Sequence, residues 1–286
     1  MKKSLFFLLV LLFIPLLVTA KAESVSLSTK DGWTLAAIYS PAQSQHKTVI
    51  LLHDLNKKKE EFTTFSNDLA KAGIGYLAVD LRGHGHSTGR GHVSGFAKEG
   101  VDNPFNKMTY DAEAAVAFLK SKGVPTNQIV LLGAGLGAQV AAKSAVLSGV
   151  NAVALISPSA NIRDVLVIPS LRLYKGDVLI AASAGDRKGF LEASVIRNVA
   201  FLTTGEGKVT FLTAYDFASH ELLDKYLRPS LVQWIKTSHK PDLAPDAHTF
   251  ASSGLAPAGV ETDTSGIPIE SSSTEEALVP SVLGGL

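Results

Sequence analysis

The sequence has no cysteine, which excludes disulfide bonds and thiol chemistry anywhere in its 286 residues. The fold must therefore be stabilised by a hydrophobic core, and the stretch 23–240 is long enough for one domain that buries most of its apolar surface. Lysine and arginine are missing after residue 240, where seven acidic residues remain. The rest of the chain is only mildly basic, which is too weak a charge to argue for a nucleic-acid partner.

The first 22 residues have the composition of an export signal. Two lysines precede the unbroken apolar run Leu5–Val18, and Ala20-Lys21-Ala22 supplies a small-x-small cleavage pattern. The run is shorter than the ~20 residues of a membrane-spanning helix, although an uncleaved membrane anchor is the alternative. We therefore predict a bacterial protein that is cleaved before Glu23 and is periplasmic or secreted. The absence of cysteine excludes a lipoprotein anchor.

The other end of the chain, 241–286, is acidic and rich in proline, serine, threonine, alanine and glycine. It has no hydrophobic periodicity, so it predicts a disordered tail. Its more apolar last part, Leu278–Leu286, leaves docking onto another surface as an alternative. The sequence thus divides into a signal peptide, a single domain over 23–240 and a tail.

The domain alternates between strand-like and helix-like segments. A hairpin is predicted around Asp31-Gly32, and short β-branched or leucine-rich runs such as Thr48–Leu52 and Ala152–Ile156 are then separated by helical patterns. This order predicts an α/β fold, a mostly parallel central sheet with helices on both faces. Only the stretch 157–177 separates two late strands, so no large cap domain is expected.

The most informative stretch is a strand, a sharp turn and a helix around residue 135. The apolar run Ile129–Leu132 enters the turn Gly133–Gly137, and an alanine-rich helical pattern follows. This context suits two motifs. One is the nucleophile elbow G-x-S-x-G, with Gly135 in place of the serine. The other is the dinucleotide-binding turn G-x-G-x-x-G/A, completed by Ala138.

Three features resemble the α/β-hydrolase superfamily over roughly Val25–Thr237. They are His53 after the third strand, the run Asp80–Ser87 (DLRGHGHS) after the fourth, and the elbow turn. More narrowly, the sequence is similar to the branch that includes dienelactone hydrolases, serine aminopeptidases and monoglyceride lipases. The resemblance implies an α/β-hydrolase fold and an ester or acyl hydrolase ancestry.

The resemblance also implies positions for the catalytic groups. The triad acid corresponds to Asp186 and the triad histidine to His220, which would remove a proton as general base. Backbone N–H groups of Leu136 and of either Asp54 or Leu55 would form the oxyanion hole. The alternatives are that Asp186 caps a helix and that His220 is an ordinary loop residue.

The elbow departs from the family pattern because Gly135 has no side-chain oxygen. Glycine tolerates the strained backbone of this turn, so the fold survives while the acyl-enzyme step is lost. No other serine is placed by the pattern to replace it. The Asp54 carboxylate beside an oxyanion hole would oppose developing negative charge or orient water, and we expect it to face solvent.

Two other kinds of site are disfavoured. A dinucleotide site needs an acidic residue at the end of the next strand, which here ends in Ser157-Pro158-Ser159. The histidines His84, His86 and His92 have no carboxylate or cysteine at a spacing that completes a four-ligand metal site. We therefore expect no cofactor and no metal.

The sequence predicts an exported, non-catalytic member of a hydrolase superfamily, a pseudoenzyme that binds a small acyl- or ester-like ligand or a protein partner. The alternative is weak ester hydrolysis by a water that His220 and Asp186 activate beside the backbone oxyanion hole. A misread codon or a deliberate knock-out at Gly135 would produce the same sequence. Contact with a membrane is expected only through an uncleaved signal segment.

Overall fold

The structure, a computed structural model, describes residues 21–43, 45–100, 102–215 and 221–237. The strands in these residues are β1 Glu23–Ser28, β2 Thr34–Ser40, β3 Thr48–Leu52, β4 Gly75–Val79, β5 Ile129–Ala134, β6 Ala152–Ile156, β7 Asn161–Ile162, β8 Val165–Leu166, β9 Asp177–Ser183 and β10 Val209–Ala214. The α-helices are α1 Thr63–Lys71, α2 Thr109–Ser121, α3 Leu136–Ser148, α4 Ile168–Leu171, α5 Arg187–Thr204 and α6 Arg228–Thr237. The predicted signal peptide lies outside this description up to residue 20, and so does the predicted tail.

Within the described residues, eight strands form one sheet in the order β1-β2-β4-β3-β5-β6-β9-β10. The β1–β2 hairpin and the β2–β4 pair are antiparallel, and the six strands from β4 to β10 run parallel. The strands β3 and β6 are buried along their whole length, as expected for central strands covered on both faces. The predicted α/β architecture is confirmed.

Helices cover both faces because neighbouring strand residues point to opposite sides of the sheet. In β3, Ile50 packs in the core under α2, α3 and α5, whereas Leu51 packs in the core under α1 and α6. On the second face, Trp234 of α6 is almost completely buried. The two cores hold the carboxyl ends of β3, β5 and β9 at one edge, where the predicted site residues lie.

The segment between β6 and β9 is compact. It holds the two-residue strands β7 and β8, which pair with each other, and the four-residue helix α4. The expectation that no large cap domain is present therefore holds for the described residues. None of the helices in these residues is both long enough and apolar enough to cross a membrane.

Candidate functional site

The elbow turn lies between β5 and α3 at the centre of the sheet. Gly135 holds φ +49° and ψ −116°, a left-handed conformation that glycine adopts without a Cβ penalty. The flanking glycines have a different role. A Cβ on Gly133 would overlap the carbonyl of Gly137, and one on Gly137 would overlap the carbonyl of Leu52. The strand, the sharp turn and the helix of an elbow are thus present, with Gly135 at the apex.

The Asp54 side chain turns into this elbow instead of facing solvent, contrary to the sequence-based expectation. Its Oδ1 accepts the N–H of Leu136 at 2.8 Å and its own neighbour's N–H, that of Leu55, at 2.6 Å. The family resemblance implied oxyanion-hole donors at Leu136 and at either Asp54 or Leu55, and these two N–H groups are the Leu136 donor and the Leu55 alternative. The structure brings them together on one oxygen atom, and that oxygen belongs to the protein itself.

Neighbouring groups hold the Asp54 backbone from both sides. Its N–H donates to Glu61 Oε2 at 2.9 Å, so this N–H does not converge with those of Leu55 and Leu136. Its carbonyl lies 2.8 Å from Nδ1 of His53. Because Nε2 of His53 accepts the N–H of Leu81, Nδ1 carries the ring proton and donates to the Asp54 carbonyl. Asp54 is therefore fixed by its backbone as well as by its carboxylate.

The pKa values of the two supporting residues follow from their burial. Burial lowers the pKa of His53 to about 4, which keeps the imidazole neutral in the folded protein. Burial raises the pKa of Glu61, and the nearby Asp54 carboxylate adds to this shift. The Glu61 contact could not be predicted from the sequence, because it depends on how the 53–62 segment turns back on itself.

Asp186 lies at the end of β9 and lines the same cavity as Gly135 and Asp54. Its Oδ1 also accepts the N–H of Gly189 at 3.0 Å and thereby caps α5. The proposed acid position and the helix-cap alternative are thus both compatible with its placement. The proposed base, His220, lies outside the described residues.

The cavity at the elbow has a volume of about 220 Å³. Its lining carries four carboxylates and, in the described part of the chain, no lysine, arginine or histidine. The carboxylates are those of Asp54, Glu61, Asp186 and Asp224. The apolar part of the lining comes from Ala134, Ile156, Ile162, Ala182 and Leu223. A field of this sign disfavours anionic ligands.

Three serines line the cavity, at the ends of β6 and β9. They are Ser157, Ser159 and Ser183. Ser157 has φ +48°, an uncommon conformation for a residue with a side chain. The Oγ of Ser183 accepts the N–H of Gly185 at 3.2 Å. None of the three lies on the elbow, where the N–H groups of Leu55 and Leu136 converge.

The Asp80–Ser87 run forms a closed polar network beside the site. Asp80 is fully buried and accepts the backbone N–H and the Nζ of Lys59 at 2.8 and 2.7 Å. Arg82, also buried, donates to Asp111 through Nε and Nη2 and to Asp31 through Nη1 and Nη2. This run holds its loop and the preceding β-hairpin together, and it lies apart from the cavity lining.

The two disfavoured alternatives receive no support from the geometry. A dinucleotide phosphate at the Gly133–Gly137 turn would meet the Asp54 carboxylate, which already accepts the first N–H group of α3, that of Leu136. Among the histidines, His84 bonds the Arg82 carbonyl and the Asn56 N–H, and His92 accepts the Ser94 N–H. Within the described residues, no group of three histidine, aspartate or glutamate side chains is placed to hold a metal ion.

Comparison with known proteins agrees with this geometry. The profile of the family "Serine aminopeptidase, S33" matches residues 43–184. An esterase from Pyrococcus furiosus superposes with a TM-score of 0.63 at 17% identity, covering 78% of this chain and 94% of that one. An esterase from Exiguobacterium antarcticum gives 0.59 at 15%, covering 75% and 100%.

A third similar structure is Est1E from Butyrivibrio proteoclasticus with ferulic acid bound, with a TM-score of 0.59, 14% identity, and coverage of 74% and 96%. No protein sequence of curated function matches the chain. Identities this low establish a common fold and leave the activity open. The chain is therefore a protein of the α/β-hydrolase fold, similar over residues 43–184 to the S33 serine aminopeptidases.

Proposed function

We propose that this protein binds a small molecule in the cavity at its elbow and does not hydrolyse it. One observation carries the proposal: the elbow has no side-chain oxygen at Gly135, and its two converging N–H groups already donate to Asp54. An acyl transfer needs a nucleophile and a free oxyanion hole. Both are missing at this elbow, while a cavity remains beside it.

The cavity lining supports a ligand class. Its four carboxylates favour a neutral or positively charged molecule over an anion, and its apolar residues favour a short hydrocarbon portion. An uncharged ester or amide, or an amine of similar size, fits this description. The proposed ligand class therefore includes the ester-like molecules expected from the superfamily resemblance and excludes free carboxylic acids, which are anionic at neutral pH.

The first test measures catalysis on the purified full-length chain. We expect no turnover of short-chain 4-nitrophenyl esters above a heat-treated sample and no mass increase with a fluorophosphonate probe. A fluorophosphonate adduct on any serine, including Ser157, Ser159 or Ser183, would contradict the proposal. Peptide mapping of the adduct would then identify the nucleophile.

The second test measures binding by ligand-observed NMR with short esters, amides and amines as probes. We expect binding that is lost in Ser159→Trp, because the indole would fill the cavity that Ser159 lines. The matched control is Ser121→Trp at the exposed end of α2, which should bind as the native chain does. If no probe shows binding that depends on Ser159, the binding function is wrong.

The alternative function is weak ester hydrolysis by water, with His220 as base and Asp186 as its partner. In its favour, Asp186 lines the same cavity as Gly135. Against it, the N–H groups that would stabilise the oxyanion already donate to a carboxylate. Native ester turnover that disappears in His220→Ala, without fluorophosphonate labelling, would establish this alternative.

We also propose that the chain is exported in a bacterium and cleaved before Glu23. The lysine-flanked apolar run and the Ala20-Lys21-Ala22 pattern support this, and β1 begins at Glu23 with Lys21 and Ala22 exposed. Expression in a bacterial host should give a periplasmic or secreted product whose N-terminal residue is Glu23. Ala22→Asp should prevent cleavage. Native protein that retains Met1 would contradict the proposal.

A further inference from the structure

The Asp54 carboxylate occupies the position that a reacting oxyanion would take. Its Oδ1 lies at hydrogen-bonding distance from both Leu55 N–H and Leu136 N–H. A negatively charged oxygen between two backbone donors is the arrangement that an oxyanion hole provides for a tetrahedral intermediate. The protein therefore places one of its own carboxylate oxygens between the two donors.

The helix that begins at Leu136 adds to this attraction. It is the 13-residue helix α3, and its N-terminal N–H groups point towards the turn. A carboxylate there is favoured, as it would be for a capping aspartate. Asp54 lies 82 residues away in sequence, so the contact also ties the loop after β3 to the elbow after β5.

The same carboxylate excludes any side chain at the apex of the elbow. A Cβ built on Gly135 would overlap the Asp54 side chain, with both carboxylate oxygens and their carbon in its way. The Asp54 carboxylate cannot retreat without breaking its bonds to Leu55 and Leu136. Glycine at 135 is thus favoured by the positive φ and required by the space that Asp54 fills.

We propose that Asp54 and Gly135 are one coupled change, in which the Asp54 carboxylate fills the oxyanion hole and Gly135 makes room for it. The inference rests on the proposed non-catalytic function and gives it a physical basis. Asp54 blocks the hole against an incoming carbonyl oxygen, both by occupying the donors and by repelling negative charge. Gly135→Ser alone therefore does not rebuild a working elbow.

The test is a double-mutant cycle in thermal stability with Asp54→Gly, Gly135→Ala and the double variant. Gly135→Ala adds the strain of a positive φ in both backgrounds, so this cost cancels in the cycle. The overlap with the carboxylate exists only when Asp54 is present. We expect Gly135→Ala to lower Tm by several degrees more in the native background than in Asp54→Gly.

Equal losses of Tm in the two backgrounds would overturn the coupling. If Gly135→Ala does not fold in the native background but folds with Asp54→Gly, the coupling is supported. As a control, Gly137→Ala should show no rescue by Asp54→Gly, because its Cβ would meet backbone carbonyls. Native ester turnover would instead overturn the proposed function, so the two failures are distinguishable.

Discussion

Two loops, one after β4 and one after β5, lie at the same edge of the sheet on either side of β3 and differ in their side-chain contacts. The Asp80–Ser87 loop after β4 is held by side-chain hydrogen bonds, among them the one that Ser87 Oγ donates to the Asp80 carbonyl at 2.7 Å. The elbow after β5 keeps its backbone but has no side chain at Gly135. The difference shows that the groups that stabilise this fold are separate from those that would perform its chemistry.

The two loops differ in how much stability depends on their side chains. Arg82 and Asp80 are buried charges whose removal would leave buried partners unpaired, so these residues resist change. The apex of the elbow is different, because glycine relieves strain there and the N–H groups find a new acceptor in Asp54. A glycine at this apex is therefore compatible with a stable elbow.

The largest expected loss of stability comes from a substitution in the Asp80–Ser87 loop. Arg82→Ala removes the two hydrogen bonds that Nε and Nη2 of Arg82 donate to the fully buried Asp111 carboxylate. Because this leaves a buried charge without its ion pair, we expect the free energy of unfolding to fall by about 3–5 kcal/mol. Urea-induced unfolding measures it. The control is Arg90→Ala, an exposed arginine that donates to the Asp31 carbonyl, with an expected change within about 0.5 kcal/mol. Equal changes in the free energy of unfolding for Arg82→Ala and Arg90→Ala would contradict the view that the buried contacts of this loop stabilise the fold.

The next effect is a pH dependence from His53, which bonds the Asp80–Ser87 loop at the Leu81 N–H and also bonds the Asp54 carbonyl. Its folded pKa, about 4, lies below its ordinary value of 6.5, so the neutral form is needed for folding and stability is lost as pH falls from 6.5 towards 4. The free energy of unfolding should fall by about 3 kcal/mol between pH 6.5 and pH 4.

Urea unfolding at pH 7 and pH 4.5 measures this loss. His53→Gln, which offers an acceptor to the Leu81 N–H and does not titrate, should lose much of the pH dependence. An unchanged pH profile in this variant would show that His53 is not its source.

A smaller loss of stability is expected from a substitution at Gly137, a glycine of the elbow turn. Gly137→Ala should lower the free energy of unfolding by about 1–3 kcal/mol, because its Cβ would overlap the Leu52 carbonyl and backbone cannot move aside cheaply. Thermal unfolding measures it. Gly207→Ala is the control, since a Cβ there meets no atom within 4 Å. An unchanged free energy of unfolding in Gly137→Ala would show that the elbow has room for a Cβ beside the Leu52 carbonyl.

Much of the fold could be predicted because the central strands have unambiguous apolar patterns. The predicted Thr48–Leu52 and Ala152–Ile156 have the same bounds as β3 and β6. The residue pattern over about 189–199 predicts a helix, and the helix in the structure is longer at both ends, Arg187–Thr204. Its start is set by the Asp186 side chain, a cap that the sequence offered only as an alternative.

The candidate site could be predicted less well. The family resemblance placed Gly135, Leu136 and either Asp54 or Leu55 at the elbow, and the structure brings the N–H groups of Leu136 and Leu55 together. The orientation of Asp54 could not be predicted, because it depends on a contact across 82 residues and on space left by a missing Cβ. The usual rule that an exposed-loop carboxylate faces solvent was therefore wrong here.

The measurement that tests the central claim most directly is the rate of fluorophosphonate labelling in two variants, followed by intact mass. They are Gly135→Ser and the double variant Asp54→Gly with Gly135→Ser. We predict that the double variant is labelled at residue 135 at least about tenfold faster than the single one, because only the double variant has both a nucleophile and an open hole. Equal labelling of the two, or labelling of neither, would contradict the claim that Asp54 closes this elbow.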